Sequence, residues 1–310
     1  FDVGMLPAAS EGTQDQDFLD SSTWLGAQWN EDAQQTLAAI TSFGIKPDMI
    51  VVDHYSIDHH WESKMRASAG RLMVIDDLAD RVHDCDLLLD QNLIAKMNTR
   101  YKGLVSKGCE MLLGPEYCLL QPIYSELQKG LSSRKGPIKR ILVFFGELGE
   151  KNLTGLTLSA LDHFNRPDIH IDVVIGSNYP HTKSIRKQVD GHENFHMHSR
   201  LPTLAPLMAK ADLAIGASGA TNWERLCLGL PAIVVSLAEN QQGIAKELNR
   251  RGLVQWLGYQ ESVDEETLTG VLGNLIEKGL DEEWSLQCRN TVDGKGVNRV
   301  CSALSMTANH

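Results

Sequence analysis

Basic residues are scarce relative to acidic ones in this sequence. Lys and Arg number 29 against 40 Asp and Glu, which gives a formal net charge of −11 with histidine neutral. A surface this acidic repels phosphate backbones and anionic lipid, so nucleic acid and membrane surfaces are not expected as main partners. An anionic small molecule can still bind where backbone N–H groups supply a positive potential.

The sequence also lacks a long apolar segment, a basic leader and closely paired cysteines. No run approaches the roughly 20 apolar residues that a membrane helix requires, and the first 20 residues contain no Lys or Arg. None of the six cysteines belongs to a C-x-x-C pair, and a chain of 310 residues can build its core without disulfides. These absences predict a cytoplasmic protein with reduced, mostly buried cysteines and no signal peptide.

Short apolar runs alternate with helical periodicities in both halves of the chain. This pattern predicts two α/β domains, residues 1–130 and 139–310, joined by a stretch rich in Gly, Ser, Pro and basic residues at 125–139. In the first domain, strands are expected at 48–53, 71–75, 86–89 and 110–113, with a helix at 57–69. In the second domain, strands are expected at 141–146, 169–176, 194–198, 213–215, 232–235 and 253–257, and helices at 153–163, 203–211, 221–228, 241–251 and 265–278.

Six strands with their crossovers make a complete doubly wound, Rossmann-like sheet, whereas the first half shows only four clear strands. Two such domains are expected to face each other across a cleft that holds a ligand between the carboxyl ends of both sheets. The chain begins at Phe1 instead of Met. We therefore expect the first domain to be incomplete, with about 50 to 70 further residues upstream that supply a strand, a glycine turn and a histidine.

Small residues follow the strand expected at 213–215 and open a helix. Ser218, Gly219 and Ala220 would let backbone N–H groups approach an anion, and a helix N-terminus adds about half a positive charge. Glu224 follows about one turn later, where a carboxylate can accept both hydroxyls of a ribose. The alternative is a tight strand–helix turn whose acidic residue serves stability only, and spacing alone leaves both interpretations open.

Two further groups of polar residues follow expected strands. Asn240 and Gln241 come after the strand at 232–235, where their amides could bind sugar hydroxyls or phosphate, or where Asn240 could simply cap a helix. Asp53, His54 and Tyr55 end the first strand of the first domain and should face the cleft.

Acidic residues are dense between 76 and 86. Paired carboxylates can act in acid–base catalysis or bind Mg²⁺, but local pairs between Asp80 and Arg81 and between His83 and Asp84 explain most of them. Only Asp76 and Asp77 are expected near the cleft.

Histidines occur close together in two places. His59 and His60 follow Asp58, but adjacent residues cannot share a helix face, so we expect no metal site there. His196 and His198 would share a strand face without a helping carboxylate. We expect no metal and no cofactor.

Several long motifs, in a fixed order, resemble those of the UDP-sugar hydrolases of pseudaminic acid biosynthesis. The matching stretches are 51–55, 75–81, 85–92, 113–117, 223–225 and 228–231, and the resemblance extends from about residue 1 to 303. It implies a GT-B-like fold and metal-independent, inverting hydrolysis of UDP-2,4-diacetamido-2,4,6-trideoxy-β-L-altropyranose to free sugar and UDP. That reaction serves flagellin or surface glycan modification.

The resemblance also implies roles for single residues. Ser218, Gly219 and Ala220 match the phosphate loop, and Glu224 matches the ribose-binding carboxylate. Tyr55 matches a pocket residue of the first domain, and Asn240 matches an amide of the sugar and diphosphate pocket. Residues that we expect to line the same site with less support are Asp53, His54, Gly146 and Gln241.

Two departures from the family matter. Its catalytic histidine belongs to a Gly-x-Gly-His-x-x-Arg motif that is absent here and would lie upstream of Phe1. Glu147 also stands in a loop where the family has Gly-Gly-Ser-Asp or similar, and its charge would repel a diphosphate. A catalytically silent UDP-sugar-binding protein and an inverting glycosyltransferase therefore remain alternatives to the hydrolase.

Overall fold

The computed structural model describes residues 4–6, 25–44, 46–146 and 151–306. The chain divides into two compact units, the first comprising Phe1–Asn92 and Lys96–Tyr117 and the second Leu93–Ala95 and Cys118–His310. All six cysteines are free, and four of them are buried. None of the helices in the described ranges is long and apolar enough to cross a membrane.

Unit 1 contains the four strands that the sequence predicts. They are β1 (Met49–Val52), β2 (Arg71–Ile75), β3 (Leu87–Asp90) and β4 (Glu110–Leu113), all parallel and in the order β1-β2-β3-β4. Helices α1 (Trp29–Ser42) and α2 (His59–Met65) also belong to this unit. Helix α1 is not among the expected elements, and α2 is shorter than the expected helix at 57–69. The upstream strand and histidine stay predictions.

Unit 2 contains a six-stranded parallel sheet in the order β10-β9-β8-β5-β6-β7. Its strands are β5 (Arg140–Phe144), β6 (His170–Ile175), β7 (Phe195–Ser199), β8 (Leu213–Ala217), β9 (Ala232–Ser236) and β10 (Gln255–Tyr259). Its helices are α3 (Pro122–Gly130), α4 (Leu153–Asp162), α5 (Thr182–Asp190), α6 (Ala205–Lys210), α7 (Thr221–Cys227), α8 (Glu239–Arg250), α9 (Glu265–Lys278), α10 (Glu282–Thr291) and α11 (Gly296–Met306). In order of occurrence the strands lie 3-2-1-4-5-6, so the order reverses between β5 and β8, where doubly wound sheets bind ligands.

The interior of this sheet is apolar because its strands are buried on both faces. Val143, Val173, Ile215 and Ile233 are almost entirely inaccessible and belong to one hydrophobic cluster with the helices. Continuous apolar runs of this kind are what a covered parallel strand requires. The pattern explains why strand positions in unit 2 could be read from the sequence.

The polar stretch 125–139 belongs to unit 2 and does not separate the units. The side chain of Gln128 donates to the carbonyls of Cys227 and Val292, at 2.7 and 3.0 Å. Arg134 is buried, and its guanidinium donates to the carbonyls of Met208 and Ala211, at 2.9 and 3.1 Å, and to that of Leu228. Because these bonds satisfy carbonyls at the ends of α6 and α7, a polar sequence lies here inside a compact unit.

Candidate functional site in unit 2

The carboxyl ends of β5 and β8 approach each other closely at a glycine. A Cβ atom on Gly216 would lie 2.0 Å from the carbonyl oxygen of Phe144, a distance that no side chain tolerates. Gly146, just after β5, has a φ of +95°, which glycine adopts without strain. Glu147 lies outside the described residues, so its predicted effect on a diphosphate stays a prediction.

Side chains of α7 form hydrogen bonds that stabilise the loop after β8. Ser218 is fully buried, its N–H donates to the Val235 carbonyl at 2.9 Å, and its hydroxyl accepts from Asn222 at 3.1 Å. Arg225 in turn donates to Asn222 and to the Ala217 carbonyl, at 2.5 and 2.8 Å. Burial lowers the pKa of Arg225 to about 10. These bonds let Ser218 shape the loop, and its predicted role in phosphate binding stays a prediction, while the next two residues, Gly219 and Ala220, are increasingly exposed.

Glu224 presents a buried carboxylate oxygen that no group of the described residues bonds. Its Oε2 atom is inaccessible and has no hydrogen-bond partner. Burial raises the pKa of Glu224, opposed by a hydrogen bond from Tyr124 and by the charge of Arg225. A buried acceptor without a donor is costly, and a ligand hydroxyl placed here would satisfy it.

Glu224 lies on the wall of a cavity of about 240 Å³ at the carboxyl edge of the sheet. The other lining residues are Phe144 at the end of β5, residues 174–177 at the end of β6, residues 200–204 after β7, Thr221 at the start of α7 after β8, and Gln121 before α3. A larger hollow, of about 430 Å³, lies at the opposite ends of β6 and β7 and contains none of the predicted site residues. We regard the smaller cavity as the candidate site, because it lies where the strand order reverses.

The loop after β9 reaches the loop after β8, as the order of the strands requires. The Nε2 atom of Gln241 lies 3.7 Å from the position that a Cβ on Gly219 would occupy. Its Oε1 atom accepts from the Leu237 N–H at 2.8 Å, which fixes the amide. Asn240 is exposed in the first turn of α8. Gly219 and Gln241, predicted separately from the sequence, are thus neighbours.

In unit 1, the residues after β1 lie against those after β2. The hydroxyl of Tyr55 bonds the carboxylate of Asp77; burial and the Asp77 charge raise the pKa of Tyr55. Burial likewise raises the pKa of Asp77, opposed by that bond. His54, next to Asp53, accepts the Ser56 N–H on its Nδ1 atom at 3.1 Å.

Arg81 fixes this turn, a role that nothing in the sequence pattern indicates. Its guanidinium pairs with Asp76 at 2.9 Å and donates to the carbonyls of Ile57 and His54, at 2.8 and 3.3 Å. The expected pair with Asp80 is also present, at 2.9 Å. The carbonyls that Arg81 binds lie 24 and 27 positions earlier in the sequence, so local spacing does not indicate this role.

The expected pair between His83 and Asp84 is wrong. His83 is buried, with its Nδ1 atom 2.7 Å from Glu62, whereas Asp84 faces outward and binds Arg66 at 2.8 Å. Consecutive residues in an extended segment point to opposite sides, so they meet partners in different directions.

Of the two expectations about the histidines, the absence of a metal near His59 and His60 stays a prediction, and the absence of a carboxylate near His198 is wrong. Asp58, His59 and His60 bring three potential ligand atoms within 4.8 Å of one another, because Asp58 caps α2 and folds back over its first turn. His198, for its part, has a carboxylate partner, since its Nε2 atom lies 2.8 Å from Asp172 on the neighbouring strand.

About two thirds of this chain can be aligned with known proteins. Residues 140–291 match the family model described as the glycosyltransferase family 28 C-terminal domain. The chain is 32% identical over 209 residues to the spore coat polysaccharide biosynthesis protein SpsG of Bacillus subtilis, covering 66% of this chain and 61% of that protein. It is 27% identical over 208 residues to the UDP-2,4-diacetamido-2,4,6-trideoxy-beta-L-altropyranose hydrolase of Campylobacter jejuni, covering 67% and 73%.

Among solved structures, the UDP-GlcNAc 2-epimerase from Neisseria meningitidis, bound to UDP-GlcNAc, superposes with a TM-score of 0.58 at 14% identity, over 90% of this chain and 82% of that one. The chain therefore has a GT-B-like α/β fold, and its residues 140–291 match the C-terminal domain of glycosyltransferase family 28.

Proposed function

We propose that this chain binds a UDP-sugar through unit 2 and belongs to an enzyme that hydrolyses it to UDP and free sugar. The observation that carries the proposal is Glu224, which lines the 240 Å³ cavity and whose buried Oε2 atom has no partner among the described residues. A ribose diol supplies the hydroxyl donors that this carboxylate lacks. The nearby loop of Gly219 and Ala220 offers small residues to a diphosphate.

The likeness to the Campylobacter hydrolase supports hydrolysis as the reaction and a 2,4-diacetamido-2,4,6-trideoxy sugar as the substrate. Water would attack the anomeric carbon with inversion, while backbone N–H groups at helix N-termini meet the charge of the departing UDP without a metal. The resemblance implies a histidine as the general base.

The remaining site assignments rest on the resemblance. We assign Tyr55 to the sugar, and Asn240 to the sugar and diphosphate. Asp53, His54, Gly146 and Gln241 are further proposed contacts. The bond from Tyr55 to Asp77 supports an oriented phenol in this role.

An inverting glycosyltransferase is the second candidate. It is favoured by the match of residues 140–291 to a glycosyltransferase domain and by the spore coat polysaccharide relative. Hydrolase and transferase differ only in whether water or a hydroxyl of an acceptor attacks the sugar. A catalytically silent protein would bind the UDP-sugar without attack on the sugar by either nucleophile.

Two measurements test the proposal. Titration calorimetry should show that UDP binds, and that ADP, which offers the same ribose and diphosphate with a larger base, binds at least tenfold more weakly. Incubation with the UDP-sugar should release free sugar and UDP in equal amounts. Absence of UDP binding contradicts the whole proposal. Binding with a glycosylated acceptor as product selects the transferase, and binding without turnover selects the silent protein.

A further inference from the structure

The start of α2 gathers three side chains whose chemistry is that of a metal site. Asp58 is the N-cap residue, and its Oδ1 atom accepts the backbone N–H of His60 at 2.9 Å. The Nδ1 atom of His60 lies 3.1 Å from Oδ2 of the same carboxylate, and Nδ1 of His59 lies 3.9 Å from it. The two imidazole rings are 3.9 Å apart between centroids.

The carboxylate is oriented before any ligand binds. Because the helix N–H fixes Oδ1, the second oxygen is held facing both imidazoles. Metal sites commonly orient a ligating group in this way, through a hydrogen bond to the atom that does not touch the metal. The ring of Trp29, 5.5 Å from that of His60 between centroids, further restricts the imidazole.

His59 supplies the observation that points to a missing partner. Its Nδ1 atom is buried and makes no hydrogen bond within the described residues. The backbone N–H of His59 donates to the Val82 carbonyl at 3.0 Å, so the residue is anchored while its ring nitrogen is left unsatisfied. The side chains of Asp58, His59 and His60 are 35%, 41% and 55% exposed, so the cluster lies at the surface, and a small rotation of the His59 ring would open its Nδ1 atom to an ion.

We propose that Asp58, His59 and His60 form a binding site for a divalent transition metal, best suited to Zn²⁺. Two imidazole nitrogens and one carboxylate oxygen are ligands that Zn²⁺ accepts at about 2.0–2.2 Å, which sets neighbouring ligand atoms about 3.3 Å apart in a tetrahedron. The two separations from the carboxylate, 3.1 and 3.9 Å, bracket this value, and all three ligand atoms lie within 4.8 Å of one another. Water would take the fourth position. The site is independent of the UDP-sugar proposal, because no residue of the unit 2 cavity belongs to it.

The test is a Zn²⁺ titration of the full chain without an affinity tag, followed by calorimetry. We expect one ion per chain and at least tenfold weaker binding in each of His59→Ala, His60→Ala and Asp58→Asn. The asparagine variant is the sharpest, because its amide oxygen can still cap α2 while the anionic ligand is gone. His196→Ala, which removes an exposed histidine of unit 2, is the matched control and should bind as the parent does.

Co²⁺ gives a second measurement on the same variants. A site of this geometry should give the intense visible absorption of tetrahedral Co²⁺, which His60→Ala should abolish while its far-ultraviolet dichroism stays unchanged. The proposal is overturned if Zn²⁺ does not bind, if the three variants bind as tightly as the control, or if bound Co²⁺ shows only the weak spectrum of an octahedral aquo ion.

Discussion

At the scale of the residue, Glu224 combines a cost to stability with a proposed role in binding UDP. Its pKa is raised, chiefly by burial, so the folded state holds the proton more tightly than the unfolded chain. Its contribution to stability is therefore greatest below the unfolded pKa of about 4.3 and is lost as the pH rises through the raised value. At neutral pH the carboxylate weakens the fold.

We therefore expect Glu224→Gln to have opposite effects on stability and on binding. At pH 7 the variant should gain about 1 kcal/mol in free energy of unfolding, because the buried charge is removed. It should bind UDP about 10 to 100 times more weakly, because a charged acceptor is worth about 1.5–3 kcal/mol. Thermal unfolding and calorimetry measure the two quantities, and the gain in stability should shrink towards pH 4.

Glu239→Gln is the matched control, since this exposed glutamate also occupies a first helical turn. It should change both quantities little. If Glu224→Gln left UDP affinity unchanged, Glu224 would be only the acidic start of a helix, the alternative that its spacing leaves open.

Gly216 matters at the scale of the element, because it sets the distance between β5 and β8. Gly216→Ala places a methyl group 2.0 Å from the Phe144 carbonyl, so the two strands must separate. We expect a loss of about 3 kcal/mol in free energy of unfolding, at the upper end for an overpacked core. We also expect at least tenfold weaker UDP binding, because the cavity lies at the ends of these strands.

Gly270→Ala is the contrasting glycine substitution. Nothing lies within 4 Å of the added Cβ, and the residue is in the middle of α9. This variant should gain about 0.5–1 kcal/mol through helix propensity. Equal effects of the two alanines on denaturant unfolding would contradict the close strand approach.

The last turns of α8 contain a charge cluster whose effect depends on pH. Glu247 pairs with Arg250 and Arg251 at 2.7 and 2.8 Å, and these bonds lower the pKa of Glu247 to about 2. A depressed carboxyl pKa adds stability above the unfolded value of about 4.3, and this is lost as the pH falls towards 2. Both arginines are largely exposed, so solvent screening limits the gain.

Glu247→Gln should therefore cost about 1 kcal/mol in free energy of unfolding at pH 7. The difference from the parent should decline between pH 4.5 and pH 2 and should be smaller in high salt. Glu277→Gln, at an exposed position of α9, is the control. A cost for Glu247→Gln that is independent of pH would show that shape and not charge stabilises this turn.

At the scale of the whole molecule, the boundary between the units can be tested with fragments. A fragment of residues 118–310 contains α3 and Arg134 with the carbonyls that Arg134 binds, and should fold cooperatively and bind UDP. A fragment of residues 139–310, which starts where the composition places the second domain, lacks them and should be less stable by at least about 3 kcal/mol. Urea unfolding compares the two, and equal stability would support the boundary predicted from composition.

The sequence by itself determined the elements that carry a continuous or periodic apolar pattern. The strand expected at 71–75 and the helix expected at 265–278 have the same bounds in the structure. It missed α1, in which Ala33 is the one described residue that is buried in the core of unit 1. Burial of apolar surface stabilises the fold and also sets the apolar periodicity of the sequence. Segments with a clear apolar periodicity therefore gave the most accurate helix and strand bounds.

Only the tertiary structure decided which polar groups meet. The sequence indicated Glu224 and Gln241 as candidate site residues. It did not indicate that Oε2 of Glu224 lacks a hydrogen-bond partner, or that Gln241 lies beside Gly219 in the loop after β8. It paired His83 with its neighbour, whereas the fold paired it with Glu62, 21 positions away. The crossovers of a parallel sheet bring together polar groups that are far apart in the sequence. Their hydrogen bonds and ion pairs therefore cannot be predicted from local spacing.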